Sequence, residues 1–367
     1  MDIKIVNGQV LDGTGAPPVR TDVAVRGDCI GEIGDLSAAR AHTVIDAGGK
    51  FVCPGFIDVH SHSDTHLLFE PLSPSKLTQG ITTEIVGNCG ASAAPLTGQY
   101  QMPSDWSDKP LPRPWSTVAE YRRLLDEIEP ALNVALLVGH NTLRAGVVGY
   151  EARPATADEL KQMARQLEQG LDEGARGLST GLIYSPGSWA PREELIALAR
   201  VAARHGGIYT SHMRSEGKRL IEAIAETLDI GAQSGAAVEI SHLKAAGRSN
   251  WGLTDQALDQ IRAARERGAQ VAADRYPYIA ACTDLDVMLP DWATEGGRTA
   301  ILARLRNPAE RARIRDALLK ARDPEYWTSV MIGSSGQSEF KGQRLVDVAQ
   351  QLGGEPVDAA LLLMDVD

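Results

Sequence analysis

At 367 residues the chain is longer than one average domain and falls within the size of one α/β barrel with an appendage. Asp and Glu outnumber Lys and Arg 48 to 37, a formal charge of −11, and no long basic cluster is present to follow a phosphate backbone, so nucleic acid is excluded as the expected partner. The opening Met-Asp-Ile-Lys-Ile-Val-Asn-Gly has no leader pattern, no stretch reaches the length of a membrane span, and Cys29, Cys53, Cys89 and Cys282 are too sparse for a secreted disulfide scaffold, which leaves a soluble cytoplasmic protein with no membrane partner as the expectation.

Residues 3–6, 23–25 and 44–45, separated by Asn7-Gly8, Asp12-Gly13 and Arg26-Gly27-Asp28, predict short antiparallel strands joined by tight turns. Residues 1–50 therefore read as part of a small β domain that cannot close a core alone. From residue 51 to 367 the texture is that of a barrel: strand candidates at 51–59, 82–86, 133–138, 176–178, 207–210, 237–240 and 270–273 alternate with helical periodicity. Thr156 with Glu159 and Thr117 with Glu120 form capping boxes, Thr254 precedes Leu258, Ile261 and Ala264, and Gly170, Gly174 and Gly268 mark points where helices fray or stop. The rival, an open doubly wound sheet, favours a glycine-rich phosphate loop after the first α/β strand, and none follows 51–59.

Five residues at the ends of these strands carry the chemistry. His60 and His62 are one residue apart, so on an extended strand both side chains leave the same face and reach one ion. Cys89 follows the second strand and precedes Gly90, while His212 and His242 each close a Ser-His ending on a later strand. Separately, each has a plain reading: loop histidines, or a buried inert cysteine. Together, at the mouth of a barrel, they predict a metal centre, and the mixture of imidazole and thiolate suits zinc better than magnesium or calcium. Zinc polarises a carbonyl and lowers the pKa of a bound water from 15.7 toward roughly 7, which is hydrolysis chemistry. Cysteine nucleophilic catalysis at Cys89 leaves the His60/His62 pair unexplained, and a Schiff base on Lys244 leaves all four histidines unexplained.

Lys244, two residues beyond His242, and Arg214 are candidates to clamp a substrate carboxylate, with an Arg214–Glu216 loop pair as the alternative. Tyr184 and Tyr276 are candidate donors to an oxyanion or to the substrate carboxylate, whereas for Tyr278 simple core packing is an equal reading. Asp64 orients a ligand imidazole or caps a loop.

These residues make the sequence resemble the amidohydrolase superfamily and, within it, the N-acyl-D-amino-acid deacylase (D-aminoacylase) family. The likeness runs from the opening Ile-Val-Asn-Gly-Gln-Val-Leu-Asp-Gly-Thr-Gly through Pro54-Gly-Phe-Ile-Asp-Val-His-Ser-His-Ser-Asp64, Gly87-Asn-Cys-Gly90, Gly177-Leu-Ser-Thr-Gly-Leu-Ile-Tyr-Ser-Pro-Gly187, Thr210-Ser-His-Met-Arg-Ser-Glu216 and Ile240-Ser-His-Leu-Lys244 to Asp274-Arg-Tyr-Pro277. It implies a TIM-like (β/α)8 metal-dependent hydrolase barrel flanked by a β-sandwich built from both termini. It implies a tightly held zinc on Cys89, His212 and His242 and a weaker second site on His60, His62 and the shared Cys89. The implied substrates are small N-acyl-D-amino acids, with Lys244 and Tyr276 on the substrate side; cyclic-amidase or dipeptidase-like hydrolysis is the alternative. The family's general base, an aspartate in a Ser-Asp-Gly context after the eighth strand, has no match: Val330-Met-Ile-Gly-Ser-Ser-Gly336 carries serine at both central places, and residues 361–367 read as a helix. The expectation is a chain that stops before the last barrel strand, whose catalytic aspartate is therefore unknown and which binds zinc with weak or no turnover.

Overall fold

The computed structural model describes residues 1–103, 106 and 110–366 and divides into two compact units. The first is Met1–Ile57 with Pro74–Thr83. It holds β1 (Ile3–Val6), β2 (Gln9–Val10), β3 (Val19–Arg20), β4 (Asp22–Arg26), β5 (Cys29–Gly34), β6 (Thr43–Asp46) and β7 (Phe51–Val52), arranged as sheets β5-β4-β1-β6 and β3-β2-β7. β4 pairs with both β1 and β5 in antiparallel fashion, as the Gly-rich turns predict. β6 corrects the expectation, because it runs parallel to β1. The loop from Asp35 to His42 is long enough to carry the chain back to the start of the sheet, and Lys4 ties it down by donating to the Leu36 and Ala39 carbonyls at 3.1 and 2.9 Å. Val23 and Ala24 are buried, while Ile30, Ile33, Val44 and Ile45 stand exposed.

The second unit is Asp58–Ser73 with Glu84–Asp367. It carries the end of β8 (Phe56–Asp58) and the C-terminal half of β9 (Ile81–Val86), followed by β10 (Asn133–Leu136) and β11 (Val138–Gly139). Then come β12 (Gly177–Gly181), β13 (Ile208–His212), β14 (Ala237–Ile240) and β15 (Val271–Ala273). β11-β12-β13-β14-β15 is wholly parallel, and β10-β9-β8 forms a second sheet in which Leu137, between β10 and β11, donates to the Val86 carbonyl at 2.9 Å. Strands occur in each of the seven predicted segments, but 51–59 is corrected: Phe51–Val52 pairs with β2 in the first unit and only Phe56–Asp58 joins β9, and 133–138 divides into β10 and β11 at Leu137.

The helices Val118–Ile128 and Ala157–Asp172 begin at the predicted capping boxes, with both halves of each box formed. Their apolar faces, including Val118, Leu124, Met163 and Leu167, join a core with Val138, Leu178, Tyr209 and Ile240. One expectation about a helix end needs correction, and the helix start at Thr254 holds. Gly170 lies inside its helix, because a Cβ there would sit 3.0 Å from Val138 and 3.3 Å from Val118, so glycine serves close packing rather than a stop. Thr254 opens the helix Thr254–Glu266 without capping it; its hydroxyl donates instead to the Trp251 carbonyl at 2.9 Å. After β15 the described residues hold no further strand, only a single bridge between Met331 and Arg344. Helices from Gly297–Arg306 to Pro356–Val366 enclose a separate core of Ile301, Leu305, Ile314, Leu318, Leu345 and Leu361. Pro356–Val366 covers the helix expected at 361–367, of which Asp367 lies outside the described residues.

Candidate metal centre

The parallel register brings strand ends together. Gly181 pairs with His212 and Ser211 with Ile240, and Ser241 extends the ladder by donating to the Ser211 carbonyl at 3.0 Å. His242 then turns out of the strand with φ 38°, and Cys89 turns after β9 with φ 53°, so both leave the sheet through the left-handed region that L-residues rarely adopt. Gly90 follows because a Cβ at that position would lie 2.2 Å from Asn141 Oδ1 and 2.6 Å from the Gly181 nitrogen.

The predicted ligands converge. Cys89 Sγ lies 3.3 Å from His60 Nε2 and 3.4 Å from His242 Nε2, which in turn is 3.0 Å from His212 Nδ1. The ligand atoms of Cys89, His212 and His242 all fall within 4.8 Å of one another and all three residues are buried; His60, His62 and Cys89 form a second group on the same criterion. Such spacings match donors arranged around one small cation. Burial, then the negative charges of Glu216 and Asp274, push the Cys89 thiol well above its ordinary range, against the opposing pull of Lys244. Burial, followed by His242, pushes His212 well below the usual imidazole range, and His212 Nε2 is buried with no hydrogen-bond partner. Clustered imidazoles, an orphaned ring nitrogen on His212 and a buried thiol that ionises more readily beside a positive charge are a donor set that zinc fits.

Two carboxylates that the sequence reading left without this role set the imidazoles. Asp274, just past β15, takes His60 Nδ1 at 3.0 Å on one oxygen and the His242 backbone N–H at 2.7 Å on the other. Its signal was its place, directly after a strand end like the histidines. Glu216 contacts His242 Nδ1 at 2.7 Å and Lys244 Nζ at 2.5 Å. Burial pushes Glu216 up, but the hydrogen bond with His242 and the neighbouring His212 and Lys244 outweigh it and hold the carboxyl at about 2. A carboxylate behind a ligand imidazole fixes its tautomer and raises its basicity. Asp274→Asn is therefore expected to weaken the His60-containing group by ~10–100-fold in metal affinity while sparing the other group, read by titrating a second equivalent of zinc.

The remaining candidates separate. Tyr184 packs its ring edge-on against His212, centroids 4.9 Å apart, and its hydroxyl meets Thr283 Oγ1 at 3.1 Å; burial pushes the phenol up. Tyr276 places its ring 5.5 Å from Lys244 Nζ. For Arg214 the Glu216 pairing is corrected: its guanidinium meets Glu226 at 3.0 Å and the carbonyls of Ser188 and Ala190 at 2.9 and 3.1 Å. Tyr278 is 68% exposed and packs in no core. Asp64 touches no imidazole; it accepts from the backbone N–H groups of Gly87 and Ala93 at 3.2 and 3.1 Å, bracketing the Cys89 turn, and burial raises it to about 7.

Glu239 was also missed. The register Thr210–Glu239–Ala272 puts it on the sheet face that carries His212, where burial and then Asp274 raise it to about 7 against the pull of His60. A carboxyl raised on folding stabilises most below its unfolded value, and that contribution is lost as pH rises through the folded one. In metal-free protein, wild type should lose stability relative to Glu239→Gln between pH about 4.5 and about 7 and run parallel to it above. Urea midpoints of the two proteins across that range check this, and curves parallel throughout would refute it.

The sequence profile described as the amidohydrolase family matches residues 43–324. The chain is 41% identical over 301 residues to D-aminoacylase of Alcaligenes xylosoxydans xylosoxydans, covering 82% of this chain and 61% of that protein. It is 42% identical over 298 residues to N-acyl-D-glutamate deacylase of the same organism, covering 80% of this chain and 60% of that one. Among solved structures, N-acyl-D-glutamate deacylase from Bordetella bronchiseptica, complexed with zinc and a phosphonate inhibitor that mimics the tetrahedral intermediate, superposes with TM-score 0.82 at 37% identity over 99% of this chain and 69% of that one. The chain thus spans about three fifths of the length of these curated relatives.

Proposed function

The chain belongs to the amidohydrolase family, and from that premise we propose that it acts as a zinc-dependent hydrolase on the amide bond of N-acyl-D-amino acids, releasing a carboxylate and a D-amino acid. The observation that carries the reading is the convergence of Cys89, His212 and His242, with His60 and His62 grouped with the same sulfur. The two deacylase relatives and the zinc-bound deacylase structure support the substrate class and the metal.

In this reading Cys89, His212 and His242 hold the tight zinc, and His60 and His62 share Cys89 for a weaker one. A zinc held by these residues would supply Lewis-acid polarisation of an amide carbonyl and a more acidic water. The chain's own residues do the positioning: Glu216 and Asp274 orient the imidazoles, Lys244 supplies a cation for the α-carboxylate, and Tyr276 walls the ammonium. Tyr184, edge-on to His212, would donate to the acyl oxygen in this reading. We keep Arg214 as a loop anchor and not a substrate contact.

We propose further that residues 1–50 are part of a β-sandwich and residues 51–367 the barrel catalytic domain. The cytoplasmic setting is proposed on the thiols: all four cysteines are free, and Cys89 serves only when reduced.

A second reading, zinc binding without turnover, rests on the same donor set, because Cys89, His212 and His242 suit a zinc ion whether or not hydrolysis follows. Release of free amine from N-acetyl-D-glutamate, N-acetyl-D-aspartate and N-acetyl-D-leucine by zinc-loaded protein tests the proposal against their L-enantiomers. Release from the D-series supports it. Stoichiometric zinc with no release from any of them supports the second reading.

A further inference from the structure

Lys244, Glu216 and His242 meet at one point, and all three are nearly buried: their side chains are 13%, 12% and 11% exposed. Glu216 Oε1 is 2.7 Å from His242 Nδ1 and 2.5 Å from Lys244 Nζ, while Lys244 Nζ is itself 3.1 Å from the same Nδ1 and 3.0 Å from the His242 carbonyl. One imidazole nitrogen therefore faces both an ammonium and a carboxylate. It satisfies only one of them at a time. A bare Nδ1 accepts from Lys244; a protonated Nδ1 donates to Glu216.

The other ring nitrogen, Nε2, faces Cys89 and His212. A neutral imidazole that gives Nε2 to a cation must carry its proton on Nδ1, so a filled metal centre selects the arrangement in which His242 donates to Glu216. Lys244 then loses one of its acceptors and is freer to take an incoming anion. The converse holds with the same sign: an anion that draws the ammonium away leaves Nδ1 with Glu216 alone and presents a bare Nε2 to the metal.

We propose that Glu216 is a positioning residue that makes zinc binding and substrate-carboxylate binding mutually reinforcing, through the tautomer of His242. This rests on the zinc hydrolase reading above. The residue holds two functional groups at once, and the two ligands bias one bistable hydrogen bond.

The test measures zinc affinity of the whole chain by chelator competition, with and without saturating N-methylsulfonyl-D-leucine, whose sulfonamide resists hydrolysis. Its C-terminal carboxamide, which lacks the anion, serves as the control. Wild type is expected to bind zinc about tenfold more tightly with the carboxylate and unchanged with the carboxamide, inside the ~5–150-fold range of such couplings. Glu216→Gln is expected to keep binding zinc, ~10–100-fold more weakly, with the carboxylate effect reduced below about twofold. Lys244→Met should lose the carboxylate effect while retaining zinc. A purely structural Glu216 would change affinity and leave the ratio intact. Equal wild-type affinity with and without the carboxylate overturns the coupling while leaving the hydrolase reading in place, as does an undiminished ratio in Glu216→Gln. No zinc binding by wild type overturns both.

Discussion

Replacing Cys89 with alanine is expected to lower zinc affinity by more than about 100-fold. Loss of groups that merely orient a ligand already costs ~10–100-fold, and Cys89 is the one donor common to both metal groups. The sulfur is also the only anion-forming atom in the buried Cys89, His212 and His242 set, so its removal leaves two neutral imidazoles to hold a dication in a buried site. Chelator competition at neutral pH reads the change. Cys29→Ala and Cys282→Ala, at exposed positions, should leave zinc affinity where it was. A Cys89→Ala protein that keeps full affinity would remove sulfur from the centre and leave the histidines to be explained another way.

The second large effect concerns stability. Arg144 is wholly buried beneath the loop that carries Tyr184, donating to both Glu194 oxygens at 2.7 and 2.6 Å and to the Pro186 carbonyl at 3.0 Å; His140 Nε2 meets the same carboxylate at 2.8 Å. Burial pushes Glu194 up, yet His140 and Arg144 together hold it below the usual carboxylate range. Arg144→Met strands that carboxylate in the interior, and breaking a buried pair on one side costs about 3–5 kcal/mol. The double variant Arg144→Met with Glu194→Leu is expected to recover part of the loss, because the uncompensated charge is gone. Urea unfolding of wild type, Arg144→Met, Glu194→Leu and the double variant measures both terms. A loss under about 1 kcal/mol in the single variant would show that the pair is solvated or replaceable.

How much of this was legible beforehand follows from what leaves a mark at short range in a sequence. Strand ends announce themselves: β14 begins and ends where Ala237 to Ile240 changes from apolar to Ser-His, and the five ligand candidates were found because each sits at such a junction. Capping boxes are equally local, a Thr and a Glu three apart, and both were formed. What escaped was pairing across distance. Asp274 is 214 residues from His60, and Glu194 is 50 from Arg144; nothing in the neighbourhood of either predicts the partner. Arg214 illustrates the converse error, since Glu216 is near in sequence while the carboxylate it meets, Glu226, belongs to the helix Leu220–Ser234. Strand direction was misjudged at β6 for the same reason: turn residues report hairpins, and β6 returns to β1 through a longer loop. Gly170 resembles a helix breaker in the sequence because close helix packing and helix termination use the same residue.

The most direct test of the centre itself is X-ray absorption at the zinc edge on protein loaded with one equivalent of metal. One sulfur neighbour at close to 2.3 Å together with imidazole nitrogens at ~2.0–2.1 Å is expected, with loss of the sulfur shell in Cys89→Ala. A spectrum with only nitrogen and oxygen neighbours in the wild-type chain would contradict it.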